Sequence, residues 1–139
     1  MRALGLDYGS ARCGCAVSDP TGTIVTPIKA IDRPDTPTGM ESLAAVARDY
    51  EVEQIIVGLP ALSSGEEGAQ ARSARAFAGR LHAMTALPVD LFDERLTTRM
   101  AAATARRTEA LASEDSMAAA HMLEGFLGSL QANDNAGDP

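Results

Sequence analysis

Apolar positions fall in short runs over the first third of the chain and at helical spacing over much of the rest. Residues 2–7 (RALGLD) and 12–18 (RCGCAVS) have the length and composition of strands. The DPTG at Asp19 to Gly22 has turn chemistry, which predicts that the second strand pairs with a third at Ile24 to Ile31. Pro27 within that third strand predicts a sheet edge or a bulge, because proline cannot donate to a ladder. Met40, Leu43, Ala44, Ala47 and Tyr50 then recur with the period of a helix. QIIVGLP (54–60) is a continuous β-branched run, which fits a strand buried on both faces of a parallel sheet.

Ser64 with Glu67 has the form of a capping box and predicts a helix whose buried face is Ala71, Ala74, Phe77, Ala78 and Leu81. PVDLF (88–92) reads as the next strand, and DERLTTRM leads into a helix. Ala118, Ala119, Met122, Leu123 and Phe126 mark a final one. A three-strand meander followed by alternating helices and strands predicts an α/β domain with a mixed sheet covered by helices. At 139 residues the chain supports one domain with one core, expected over 1–130. The acidic QANDNAGDP at 131–139 is expected to be a disordered tail.

Composition narrows the function classes. No apolar run approaches membrane-spanning length, and MRALGLDYG meets an aspartate too early for a signal peptide, so a soluble cytoplasmic protein without a membrane partner is expected. A net charge of −7 with a single lysine, Lys29, argues against nonspecific coating of nucleic acid. From Arg95 to Arg107, however, four arginines (Arg95, Arg99, Arg106, Arg107) occur without an acid, leaving a local basic patch. Cys13 and Cys15 lie two apart in a strand, share a face and have no other soft ligands near them in sequence, so they read as small buried hydrophobes.

The acids carry the chemistry. Asp7 ends the first strand, at the rim where α/β sheets place ligands, with Gly5 and Gly9 allowing close approach; the alternative is a turn aspartate satisfying backbone amides. Asp93 and Glu94 end another strand, and alternation sends one of them to the cleft of Asp7; alternatively they cap the following helix. Asp115 precedes Ala118, Ala119, Met122 and Phe126 by 3, 4, 7 and 11 residues, so it shares the buried stripe of the last helix at its N-terminal end. An ordinary first-turn acid favoured by the helix dipole is the alternative there. Three acids converging on one sheet edge would repel each other unless a cation lay between them, and oxygen-only ligands point to Mg²⁺ or Mn²⁺. Two ions about 4 Å apart can activate water and stabilise a leaving oxygen, which is nuclease chemistry.

The ordered set GLDYGSARCGCAVSD, IIVGLP, SGEEGAQA, DERLTT and DSMAAAHMLEGFL resembles the YqgF-type family of pre-16S ribosomal RNA nucleases, also described as Holliday junction resolvase-like. The resemblance implies a ribonuclease H-like fold with a mixed five-stranded sheet flanked by helices. It also implies that Asp7, Glu94 and Asp115 are the metal-binding catalytic acids, and that the activity is processing of the 5′ end of precursor 16S rRNA in the cytoplasm. The chain departs from the family pattern at Ala11 and Arg12, where Lys-Arg is usual. It departs again at ARRTEALASED, which has only Arg106 and Arg107 and three acids where the family is basic. Weaker binding of nucleic acid is expected, with a salt sensitivity in proportion to the contacts that remain.

On this reading Asp7 bridges two ions and Glu94 and Asp115 each hold one side. Arg12, Arg95 and Arg99 are candidate phosphate contacts, and the loop from Ser63 to Gly68 offers helix N-terminal amides. His82 and His121 receive no role. The five aromatics (Tyr8, Tyr50, Phe77, Phe92, Phe126) sit mostly at core positions, with Tyr8 the exception, so recognition through backbone and shape is expected. The partner is structured nucleic acid, RNA favoured over branched DNA, and the chain acts as monomer or homodimer. Three alternatives stand beside this reading: a Holliday junction resolvase-like DNA endonuclease, a non-catalytic RNA-binding assembly factor, and a nucleotide-binding domain like those of the actin and hexokinase superfamily.

Overall fold

The computed structural model describes residues 1–59, 68–93 and 114–136, and side chains in the last segment from Ser116 to Leu130. Its five strands are β1 (Ala3–Asp7), β2 (Arg12–Ser18), β3 (Val25–Asp32), β4 (Gln54–Leu59) and β5 (Val89–Asp93). Three helices accompany them among the described residues: α1 (Pro37–Asp49), α2 (Ala69–Thr85) and α3 (Glu114–Ala136). The sheet order is β3-β2-β1-β4-β5, antiparallel across the meander and parallel across β1-β4-β5. This is the mixed sheet that the pattern of runs predicts.

β1 is central and its residues from Ala3 to Leu6 are buried, which accounts for its lack of polar alternation. Leu4 and Leu6 join Cys13, Cys15, Ile55 and Val57 on the face covered by α1 and α2, with Phe77 and Leu81 packed over them. Ala3, Ala16, Ile56 and Phe92 join Ala119, Met122, Leu123 and Phe126 of α3 on the other face. Gly5 sits on the α3 face, where the Cβ of an alanine would come 2.8 Å from Leu123 Cβ. Helix and strand are closer there than any larger residue permits.

The Asp19 turn forms as its sequence predicts. Asp19 Oδ1 accepts from the backbone N–H groups of Thr23 and Ile24, and the Gly22 N–H donates to the Asp19 carbonyl. Pro27 lies in β3, which among the described residues is an edge strand paired with β2, and the register shifts between Cys13 and Cys15. α1 opens at Thr36, whose hydroxyl accepts from the Gly39 N–H, with Pro37 at the first helical position.

Three local expectations differ from the structure. α2 opens at Gly68 with no side-chain cap, so the helix does not start at a Ser64 box; Ser64 and Glu67 lie outside the described residues. Glycine is tolerated at an N-cap because its backbone stays accessible to solvent. Ala44 and Ala118 are half-buried and Tyr50 is exposed, each at the margin of its helix's apolar stripe. α3 continues to Ala136, so residues 131–136 of the segment with a disorder-like composition carry helical backbone.

Candidate active site

Asp7 stands at the C-terminal end of β1, half-buried, opposite Gly14 of β2. Alternation from Ala3 and Gly5 takes its side chain to the α3 face. Gly14 shares that face with Ala16 and puts no side chain against the carboxylate. Beyond it the chain turns tightly, since the Cβ of any residue at position 9 would lie 2.8 Å from the Arg12 carbonyl. Asp7, Tyr8, Gly9 and Ser10 line a cavity of about 320 Å³ with Ala69, Gln70 and Ser73 from the first turns of α2.

The start of α3 is tied to this strand end. The backbone N–H of Cys15 donates to Ser116 Oγ at 3.3 Å, and Ser116 is fully buried. Cys15 pairs with Leu6, the residue before Asp7, while Ser116 follows Asp115. Asp115 therefore lies in the first turn of a helix anchored beside the end of β1. Of the acid pair after the fifth strand, Asp93 follows Leu91, which packs against the α1 and α2 face, so Asp93 points away from the side of Asp7. Glu94, Arg95 and Arg99 lie outside the described residues.

Arg12 is exposed at the start of β2, 3.4 Å from Asp32 through Nε. A pair this open to water holds its members only loosely and is worth about 0–1 kcal/mol. Cys13 and Cys15 are free, buried thiols on the face away from Asp7. The Cys15 side chain and burial push the Cys13 thiol well above its ordinary range, so it stays protonated. Nδ1 of His82 meets the Leu87 carbonyl, and Nε2 of His121 is buried without a hydrogen bond. Burial lowers the pKa of His121 against a smaller opposing pull from Glu124.

Sequence reasoning missed a second cluster beside Asp7. The Tyr8 ring stacks on Phe77 of α2 with centroids 4.6 Å apart, its hydroxyl donates to Asp35, and Arg80 of α2 pairs with the same carboxylate. Burial, then the hydrogen bond to Asp35, push the Tyr8 phenol up to about 12. One face of the Tyr8 ring is therefore taken by Phe77. Strand alternation is the signal that puts Tyr8 opposite Asp7; nothing local in sequence links it to Asp35 or Arg80.

Among the described residues no three His, Cys, Asp or Glu side chains gather around one point. The donors near Asp7 are still of the right kind for a hard cation. Ser10, Gln70 and Ser73, which line the cavity with Asp7, offer oxygen.

Residues 1–129 match the family model described as RuvX, Holliday junction resolvase. The chain belongs to this family. A relative from Anaeromyxobacter sp. (strain Fw109-5), named "Putative pre-16S rRNA nuclease", is 42% identical over 132 residues, covering 91% of this chain and 96% of its own. Among solved structures, Thermus thermophilus RuvC in complex with Holliday junction substrate superimposes with a TM-score of 0.67 at 14% identity, covering 95% and 96% of the two chains. The fowlpox virus Holliday junction resolvase gives 0.55 at 14% identity, covering 93% and 99%. These two likenesses establish a ribonuclease H-like fold. Family membership makes the chain a phosphodiester-cleaving hydrolase.

Proposed function

We propose that this RuvX-family chain is a divalent-metal-dependent nuclease that processes the 5′ end of precursor 16S rRNA in the cytoplasm, with Asp7, Glu94 and Asp115 as its metal-binding acids. The observation that carries this reading is the hydrogen bond from the Cys15 N–H to Ser116 Oγ, which ties the first turn of α3 to β2 at the residue paired with Leu6, next to Asp7. Its support in substrate class is the name of the relative at 42% identity. Alternation supports Glu94 over Asp93 as the third acid, since Asp93 faces away from Asp7.

Mg²⁺ or Mn²⁺, two ions in the fullest form, would supply an activated water and stabilise the leaving oxygen. Asp7 would hold both ions, and Glu94 and Asp115 would hold one each. Arg12, Arg95 and Arg99 contact backbone phosphates, and the uncapped amides at the start of α2 border the same cavity. The family description favours one second reading, a resolvase-like endonuclease cutting branched DNA.

The test incubates end-labelled precursor rRNA and a four-way DNA junction at low salt with Mg²⁺, Mn²⁺ or chelator, beside Asp7→Asn and Asp115→Asn. Cleavage of RNA that needs metal and vanishes in both folded variants is expected. Preferential cleavage of the junction moves the substrate to DNA. Equal cleavage in all preparations exposes a contaminant, and none with any metal overturns the catalytic reading.

A further inference from the structure

We propose that Asp35 is a positioning residue for Asp7, clamping the β1–β2 turn to the β3–α1 connection and to α2 through its simultaneous bonds to Tyr8 and Arg80. This rests on Asp7 being a catalytic acid, as proposed above.

Tyr8 follows Asp7 directly, and the two side chains leave opposite faces of the strand. Holding the Tyr8 ring therefore fixes the backbone dihedrals that aim the Asp7 carboxylate. The ring is held from below by stacking on the fully buried Phe77 and from its tip by Asp35. Asp35 is itself held by a stiff connection. Arg33 takes a left-handed conformation (φ 46), and its N–H donates to the Ala11 carbonyl at 2.9 Å. The Thr36 hydroxyl donates to the Arg33 carbonyl at 2.8 Å, and the first turn of α1 presses so closely there that a Cβ at Gly39 would lie 2.2 Å from that carbonyl.

Three ties thus join the segment from Asp7 to Arg12 to the end of β3 and the connection after it: Tyr8 with Asp35, Ala11 with Arg33 and, loosely, Arg12 with Asp32. Arg80 adds a fourth element. It lies on the helix whose first turns supply Ala69, Gln70 and Ser73 to the cavity, so Asp35 sets the strand end and the opposite cavity wall relative to each other. The Arg80 and Asp35 side chains are 51% and 36% exposed, which limits what this pair adds to stability. Its removal should register in geometry before it registers in folding. Misplacement of a reacting group by about 1 Å costs on the order of 100-fold in rate.

The test compares Asp35→Ala, Asp35→Asn and Tyr8→Phe with wild type. Steady-state cleavage, thermal midpoint and amide hydrogen exchange of the peptide spanning 7–12 are measured on each. Asp35→Ala is expected to lower kcat roughly 10- to 100-fold with KM within about twofold of wild type. Asp35→Asn, which keeps an acceptor for Tyr8, recovers part of the loss. Tyr8→Phe keeps the stack on Phe77 and tests the hydroxyl alone. Exchange in 7–12 accelerates in Asp35→Ala and Tyr8→Phe. Unchanged exchange in these two overturns the clamp, as does a fall in kcat that tracks the thermal midpoint and is the same in Asn as in Ala. A wild-type chain that cleaves nothing overturns the function proposed above, and exchange still decides the clamp.

Discussion

Replacing Gly5 by alanine inserts one methyl group between β1 and α3. That Cβ would come 2.8 Å from Leu123 Cβ and 3.3 Å from its Cγ and Cδ2, whereas apolar carbons rest at roughly 3.5–4.0 Å. The outer carbons of Leu123 can rotate away, but its Cβ moves only if the helix does. Overpacking of this kind costs about 1–3 kcal/mol, offset by the roughly 0.5–1 kcal/mol that alanine recovers over glycine in a strand. A net loss of about 1–2 kcal/mol is expected. With a urea dependence of about 1–3 kcal/mol/M, the unfolding midpoint should fall by roughly 0.5–1 M. Leu123→Ala removes the outer carbons and keeps the Cβ, so most of the Gly5→Ala penalty should persist in that background. A midpoint for Gly5→Ala equal to wild type, or a penalty abolished by Leu123→Ala, would refute the claim that the helix backbone itself abuts the strand.

The thiols of Cys13 and Cys15, buried and with Cys13 held protonated, should resist Ellman's reagent in the native chain and titrate as two only after denaturation. Asp19, lowered to about 2 by the Thr21 hydroxyl and then by the Ile24 and Thr23 amides, favours the folded state above the ordinary aspartate range. That contribution should fade as pH falls from about 4 towards about 2, so stability curves of wild type and Asp19→Asn should converge in acid. Tyr8, raised to about 12, works with the opposite sign: its contribution is complete below about 10 and is lost as pH rises towards about 12. Tyr8→Phe should abolish that alkaline loss in a pH-dependent unfolding series. Arg12→Ala should weaken RNA binding for all sequences alike and reduce the salt slope of log K by roughly one phosphate contact; an unchanged slope would take Arg12 out of the phosphate contacts.

The sheet was legible because its signals are local. Pro27 marked an edge, the unbroken QIIVGL marked a strand covered twice, and Ala71, Ala74, Phe77, Ala78 and Leu81 all proved buried on α2. The start of α2 was not legible, since Ser64 and Glu67 satisfy the capping pattern while Gly68 occupies the cap. Asp7 stood out by its place at a strand end, and Asp115 by sharing a period with Met122 and Phe126, which are buried. The cluster of Tyr8, Asp35 and Arg80 could not be read, because 27 residues separate Tyr8 from Asp35 and 45 separate Asp35 from Arg80. No local pattern spans such intervals; only the packing of α2 against the connection before α1 brings them together.

The α3 layer has a consequence for the order in which the protein matures. Among the described residues Ala3, Ala16 and Ile56 take their cover from Ala119, Met122 and Leu123, so that part of the sheet face waits for the last described helix to be synthesised. A chain emerging from the ribosome at about 5–20 residues per second therefore displays an oily sheet surface for several seconds. During that interval the nascent chain is a target for chaperones and for self-association. Truncation before residue 119 should promote aggregation, even though the five described strands are already present.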